Sequence, residues 1–80
     1  MNTQEIVMDR AFDAACLNVK GEKEWATQIL NRLYATYPEN KQYIENLYNF
    51  YINMVSSNTT FLSRADYMIE HKNNLKLKYK

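Results

Sequence analysis

The chain has one glycine, one proline, one cysteine and one histidine among its 80 residues. Each scarcity removes a class of answer. A single Gly and a single Pro leave too few tight-turn residues for an all-β fold built on hairpins. They also leave no glycine-rich loop to cradle a phosphate. One Cys closes no internal disulfide and supplies no pair of thiolate ligands, and one His makes no histidine pair. No nucleophile elbow is present. There is no run of 18 apolar residues that would span a bilayer, and no basic-then-apolar leader. The expected location is therefore cytoplasmic. No enzyme activity, cofactor or metal is expected.

What is present describes a small folded unit. Hydrophobic residues make up 46% and charged residues 24%, with a net charge of +1, which fits a globular chain and not a disordered one. A single core of this size supplies only ~3–5 kcal/mol. Tight helical packing or a partner subunit must add the rest. Asn, Lys, Ile, Tyr and Phe make up 32 of the 80 residues. These are residues of A/T-rich codons, which points to a phage or a low-GC bacterium.

The apolar period is helical throughout. Met8, Ala11, Phe12, Ala15, Cys16 and Val19 recur at helix spacing, so the first helix is expected over 3–20. Asn2 and Glu5 stand at capping-box spacing before it, and Gly21 suits a left-handed C-terminal cap. Trp25, Ala26, Ile29, Leu30, Leu33 and Tyr37 predict a second helix over 22–36, with Gln28, Asn31 and Arg32 on its outer side. Pro38 ends that helix and is expected in the first turn of a third, over 39–56, with Glu39 at its positive end. Ile44, Leu47, Tyr48, Tyr51, Met54 and Val55 form the third stripe, flanked by Tyr43 and Phe50. A fourth helix is predicted from Ser63, capped by that hydroxyl, with Asp66 three residues on. The expected fold is an all-α bundle of three to four antiparallel or orthogonal helices. Residues 1–72 form one helical domain and 73–80 a basic C-terminal tail.

Candidate chemistry is sparse. Asp66 and Glu70 share a helix face, but a solvated acidic edge accounts for them. His71 follows Glu70 directly and points about 100° away from it, so the two do not chelate as a pair. Cys16 lies on the core stripe and is read as a buried, inert thiol. The charge is uneven. After Glu70 no acid appears, while Lys72, Lys76, Lys78 and Lys80 do. Those lysines are candidates for nucleic acid or another acidic surface. The simpler reading, and the one favoured, is that they complement the negative end of the last helix and then fray into solvent. Leu75, Leu77 and Tyr79 alternate with the lysines, as a strand would or as a frayed last helical turn would.

The most informative absence is internal. From Asn46 to Ser63, 18 residues carry no charge of either sign. Asn46, Asn49 and Asn53 line one helix face beside the Tyr48/Tyr51 band. Surface helices normally carry Lys and Glu outward, and interface cores are depleted in them. The third helix is therefore either the central helix of the bundle or a contact surface. On the second reading the contact residues are Tyr48, Asn49, Tyr51, Ile52 and Asn53.

Ala26, Leu30, Leu33, Pro38, Leu47 and Tyr51 together resemble the second helix of a tetratricopeptide repeat running into the first helix of the next. The resemblance covers about 26 residues and implies protein or peptide binding. Tyr48 stands where that family has a small residue, and no 34-residue self-similarity accompanies it, so the same residues also fit a generic antiparallel helix pair. The function expected from the sequence is a small non-enzymatic regulator, inhibitor or accessory factor that occupies a surface on another protein. Phage host-takeover, anti-defence or lysis-control proteins are of this type. A homodimer is a possible form, and a nucleic-acid-binding accessory protein using the lysines is the alternative.

Overall fold

A computed structural model describes residues 2–78, with side chains through Asn73. It is an all-α bundle of four helices, and no strand occurs among the described residues. The helices are α1 (Thr3–Val19), α2 (Lys23–Thr36), α3 (Lys41–Ser57) and α4 (Ser63–Lys78). Short 3-10 turns at Pro38–Asn40 and Thr59–Leu62 join the last three.

Helix ends follow side-chain chemistry. The Asn2 Oδ1 accepts the backbone N–H of Glu5 at 2.8 Å, and the Asn2 amide reaches the Glu5 carboxylate at 3.4 Å. That satisfies one of the free donors at the start of α1. At the other end Gly21 has φ +101°. The Glu22 N–H donates to the Leu17 carbonyl and the Gly21 N–H to that of Asn18, the paired bonds of a Schellman cap. An L side chain is strained at that φ although the space around it is open.

Two boundaries differ from the sequence expectation. Pro38 and Glu39 lie in a separate 3-10 turn, and α3 begins at Lys41. Asn40, at φ −107° and ψ 14°, interrupts what would have been a continuous first turn. Ser63 is already helical, and its hydroxyl donates back to the Thr60 carbonyl at 3.1 Å. The cap sits earlier, on Asn58, whose Oδ1 accepts from Thr60. Asp66 is drawn instead into an ion pair with Lys20 at 2.9 Å.

The bundle is organised around α1. Both α2 and α3 pack along it, and the first half of α4 rests on it, whereas α2 and α3 meet only sparsely and α3 reaches α4 through the 3-10 turn between them. The third helix is therefore not the central one. The reason is in the α1 sequence. Ala11 and every residue from Asp13 to Leu17 are fully buried, so the second half of this helix is covered on all sides, while its first turns keep an exposed side. Its small residues Ala11, Ala14, Ala15 and Cys16 admit neighbours closely. The predicted stripe held only part of this surface: Val7, Ala14 and Leu17 are buried, while Met8 is 38% exposed. Leu17, Ile44, Val7 and Val55 are the largest apolar side chains with no exposure, each worth roughly 1.5–3 kcal/mol by burial. The resemblance to a repeat's α2–α3 pairing is not realised, because both helices spend their apolar faces on α1.

Candidate functional site

Helix α3 presents two unlike sides. Ile44 and Val55 are buried, and Leu47, Tyr48, Tyr51, Ile52 and Met54 are half-buried. The inward tyrosines are held by specific partners on α1. The Asn18 amide donates to the Tyr48 hydroxyl. Phe12 meets the Tyr51 ring edge-on at 5.5 Å and Phe61 at 5.9 Å. Burial, and secondarily the neighbouring Tyr43 phenol, raise the Tyr51 hydroxyl above its ordinary pKa. Burial and then the Glu45 carboxylate do the same for Tyr34.

The outer side is Tyr43, Asn46, Asn49, Phe50, Asn53 and Ser57. These positions recur at three- and four-residue spacing and are all exposed, so they form one stripe along the helix. Phe50 is 62% exposed, the most of any large apolar side chain described. Its ring meets Tyr51 in an edge contact at 5.8 Å. The polar groups of the stripe are neutral. Gln42 donates to Asn46 at 3.0 Å, Ser57 to the Asn53 carbonyl at 2.9 Å, and Gln4 of α1 to the Tyr43 hydroxyl at 3.4 Å.

Of the five contact residues expected from sequence, Asn49 and Asn53 lie on the open face and Ile52 is half-buried at its margin. Tyr48 and Tyr51 point toward α1. Phe50, placed by the sequence on the flank, is the aromatic that the helix turns outward. The signal that separates them is one of register: Phe50 is in phase with the asparagines, and the tyrosines are in phase with Ile44 and Val55.

Lys72 lies with its ammonium 4.6 Å above the Trp25 ring, a cation–π contact that ties α4 to α2. The side chains of Lys76 and Lys78, and all of Lys80, lie outside the described residues, as do those of Leu75, Leu77 and Tyr79. The backbone continues as helix through Lys78. His71 stacks on Tyr67 with centroids 6.2 Å apart. No group of three His, Cys, Asp or Glu side chains suited to a metal occurs among the described residues. Among the described residues no helix is long and apolar enough to cross a membrane.

Sequence reasoning missed a buried ionic cluster. The Asp13 carboxylate has no exposure. It accepts from Arg10 at 2.9 Å and from Arg64 at 2.7 and 3.4 Å. The hydrogen bond to Asp13 raises the Arg64 pKa further, so its charge is permanent. A lone acid within the run Ala11-Phe12-Asp13-Ala14-Ala15-Cys16 was the available signal, since a buried carboxylate requires cationic partners. Beside it the Cys16 thiol donates to the Phe61 carbonyl at 3.4 Å. Burial, and then the Asp13 charge, push that thiol up to about 11 against the opposing influence of Arg64.

The molecule thus belongs to the small all-α bundles, with α1 as its hub. No protein family matches the chain, and no characterised protein and no solved structure matches it either.

Proposed function

We propose that this protein is a small, non-enzymatic, cytoplasmic regulator, inhibitor or accessory factor, of the kind large phages encode, that occupies a surface on a partner protein through the outer face of α3. The observation that carries the reading is the open, uncharged stripe from Tyr43 to Ser57, centred on the exposed Phe50 ring. Partner contact resolves the cost of leaving such a ring in water, and neutral asparagines lose less on desolvation than Lys or Glu would. The flanking tyrosines are anchored on α1, so little side-chain freedom is lost when a partner arrives.

The test is affinity capture from the producing cell with the intact chain and with Asn49→Arg and Phe50→Lys. Both substitutions leave the folded bundle in place because neither residue is buried. Loss of a specific captured protein with either variant supports the reading, and an unchanged captured set from both removes it. Native mass at increasing concentration tests the homodimer, the form in which the partner is a second copy. Binding to nucleic acid through Lys72, Lys76, Lys78 and Lys80 is the competing reading. A salt-steep oligonucleotide affinity that disappears on truncation after Asn74 would favour it.

A further inference from the structure

A second feature lies away from the α3 face. Between α1 and α2 is a cleft of about 370 Å³, within the roughly 300–1,000 Å³ that small-molecule sites occupy. Ile6 and Arg10 line it from α1, one turn apart. The α1 residues that reach α3, Gln4, Phe12 and Asn18, stand on different sides of the helix from these two. From α2 the cleft takes a continuous face beginning at Trp25 and ending at Tyr37.

Its chemistry is two-part. Ile29 and Leu33 are buried and, with Trp25, give it an apolar floor. Among the described residues Arg10 and Arg32 are its charged groups, and no acid lines it. Arg10 donates one guanidinium N–H to Asp13 at 2.9 Å, which orients the side chain and leaves its other donors for a ligand. Asp13 is shared with Arg64, so those three groups together keep a net positive charge. Arg32 is exposed, and among the described residues no carboxylate lies within 4 Å of it. The Lys72 ammonium over Trp25 adds a third cation beside the cleft.

We propose that this cleft binds a small anionic amphiphile, a carboxylate or phosphate monoester carried on an aromatic or branched apolar body. The anionic head takes the guanidinium fork of Arg32 with Arg10 beside it, since a guanidinium matches both oxyanions in a bidentate manner. The apolar body covers Trp25, Ile29 and Leu33. An inorganic anion leaves that floor wet, and a neutral apolar ligand strips water from Arg32 without replacing it. Both parts of the ligand are therefore required. This site does not depend on the α3 reading.

Trp25 is the only tryptophan of the chain, so its emission reports on the cleft directly. The probes are 3-phenylpropionate and phenyl phosphate, titrated with excitation at the red edge of the indole band. The neutral control is 3-phenylpropan-1-ol and the anion-only control is inorganic phosphate. At fragment size the expected dissociation constants are roughly 0.1–5 mM. Saturation by either anionic probe, at least about tenfold weaker for both controls and for Arg32→Gln, supports the site, and the probe that binds tells carboxylate from phosphate. Amide shifts on binding must map to α1 and α2. No saturation by about 20 mM, equal binding of the alcohol, full binding by Arg32→Gln, or shifts that map elsewhere overturns it. Arg32 is exposed, and circular dichroism of Arg32→Gln confirms that the variant is folded.

Discussion

Arg64 at the start of α4 donates its Nε to the Oδ1 of Asp13 in the middle of α1 at 2.7 Å, across 51 positions of sequence. The Asp13 side chain is fully buried and the Arg64 side chain is 42% exposed. Among the described side chains of α4, Ala65 is buried and Met68 and Ile69 are half-covered. This bond and the Lys20–Asp66 pair at 2.9 Å therefore fix where the helix sits.

Breaking the bond from the arginine side leaves Asp13 buried with Arg10 as its single partner. Arg64→Met is expected to cost about 2 kcal/mol, less than for a fully buried pair, because the Arg64 side chain is partly in water and Arg10 still pairs with Asp13. In an Asp13→Asn background the same substitution should cost well under half as much. Urea unfolding of the four proteins measures the coupling, expected at about 1–2 kcal/mol. Additive effects would show that the bond does not fasten α4.

Cys16 gives an alkaline signature. The folded thiol keeps its proton to about 11, whereas the unfolded thiol loses it near its ordinary 9.0. Between those values the unfolded chain binds fewer protons, so rising pH favours unfolding. The contribution is complete below pH 9 and is lost as pH passes about 11. Urea midpoints should fall more steeply over that interval in the native chain than in Cys16→Ala. Tyr34 and Tyr51 are common to both proteins and drop out of the difference. Equal slopes would mean that the thiol is not held protonated by the fold.

The two sides of α3 predict opposite responses to truncation. Phe50→Ala removes a ring that is mostly in water and should shift stability by no more than about 0.5 kcal/mol. Ile44→Ala opens a cavity beneath α1 and should cost about 2–5 kcal/mol. Thermal melts of the two variants decide between this arrangement and one in which Phe50 is packed. A large loss for Phe50→Ala would place the ring in a core, within the chain or across a dimer.

Local features were legible in the sequence because they are decided within a few residues. The Asn2 cap and the reversal at Gly21 stand where their spacing put them. The inner face of α2, from Ala26 to Leu33, follows its 3.6-residue period. Register along α3 was harder, since Tyr48, Phe50 and Tyr51 are equally apolar in composition and only the phase of Ile44 and Val55 sorts them. The cleft beside Arg32 was hidden for another reason. Gln28 and Arg32 lie on the outer side of α2 as expected, and only the position of α1 turns that side into a wall.

The sequence by itself determined an all-α bundle of three to four helices, their approximate limits and a long stretch without charge. These follow from hydrophobic period, capping chemistry and the absence of charge, all of which are local. It did not determine which helix lies at the centre. That depends on which face is covered from more than one direction, and α1 wins because Ala11, Ala14, Ala15 and Cys16 are small enough to admit neighbours on several sides. With α1 at the centre, Asp13 is taken out of water and requires Arg64, and α3 is left with one face unpartnered. The tertiary structure decided both, because burial is a property of the assembled helices and not of any one of them.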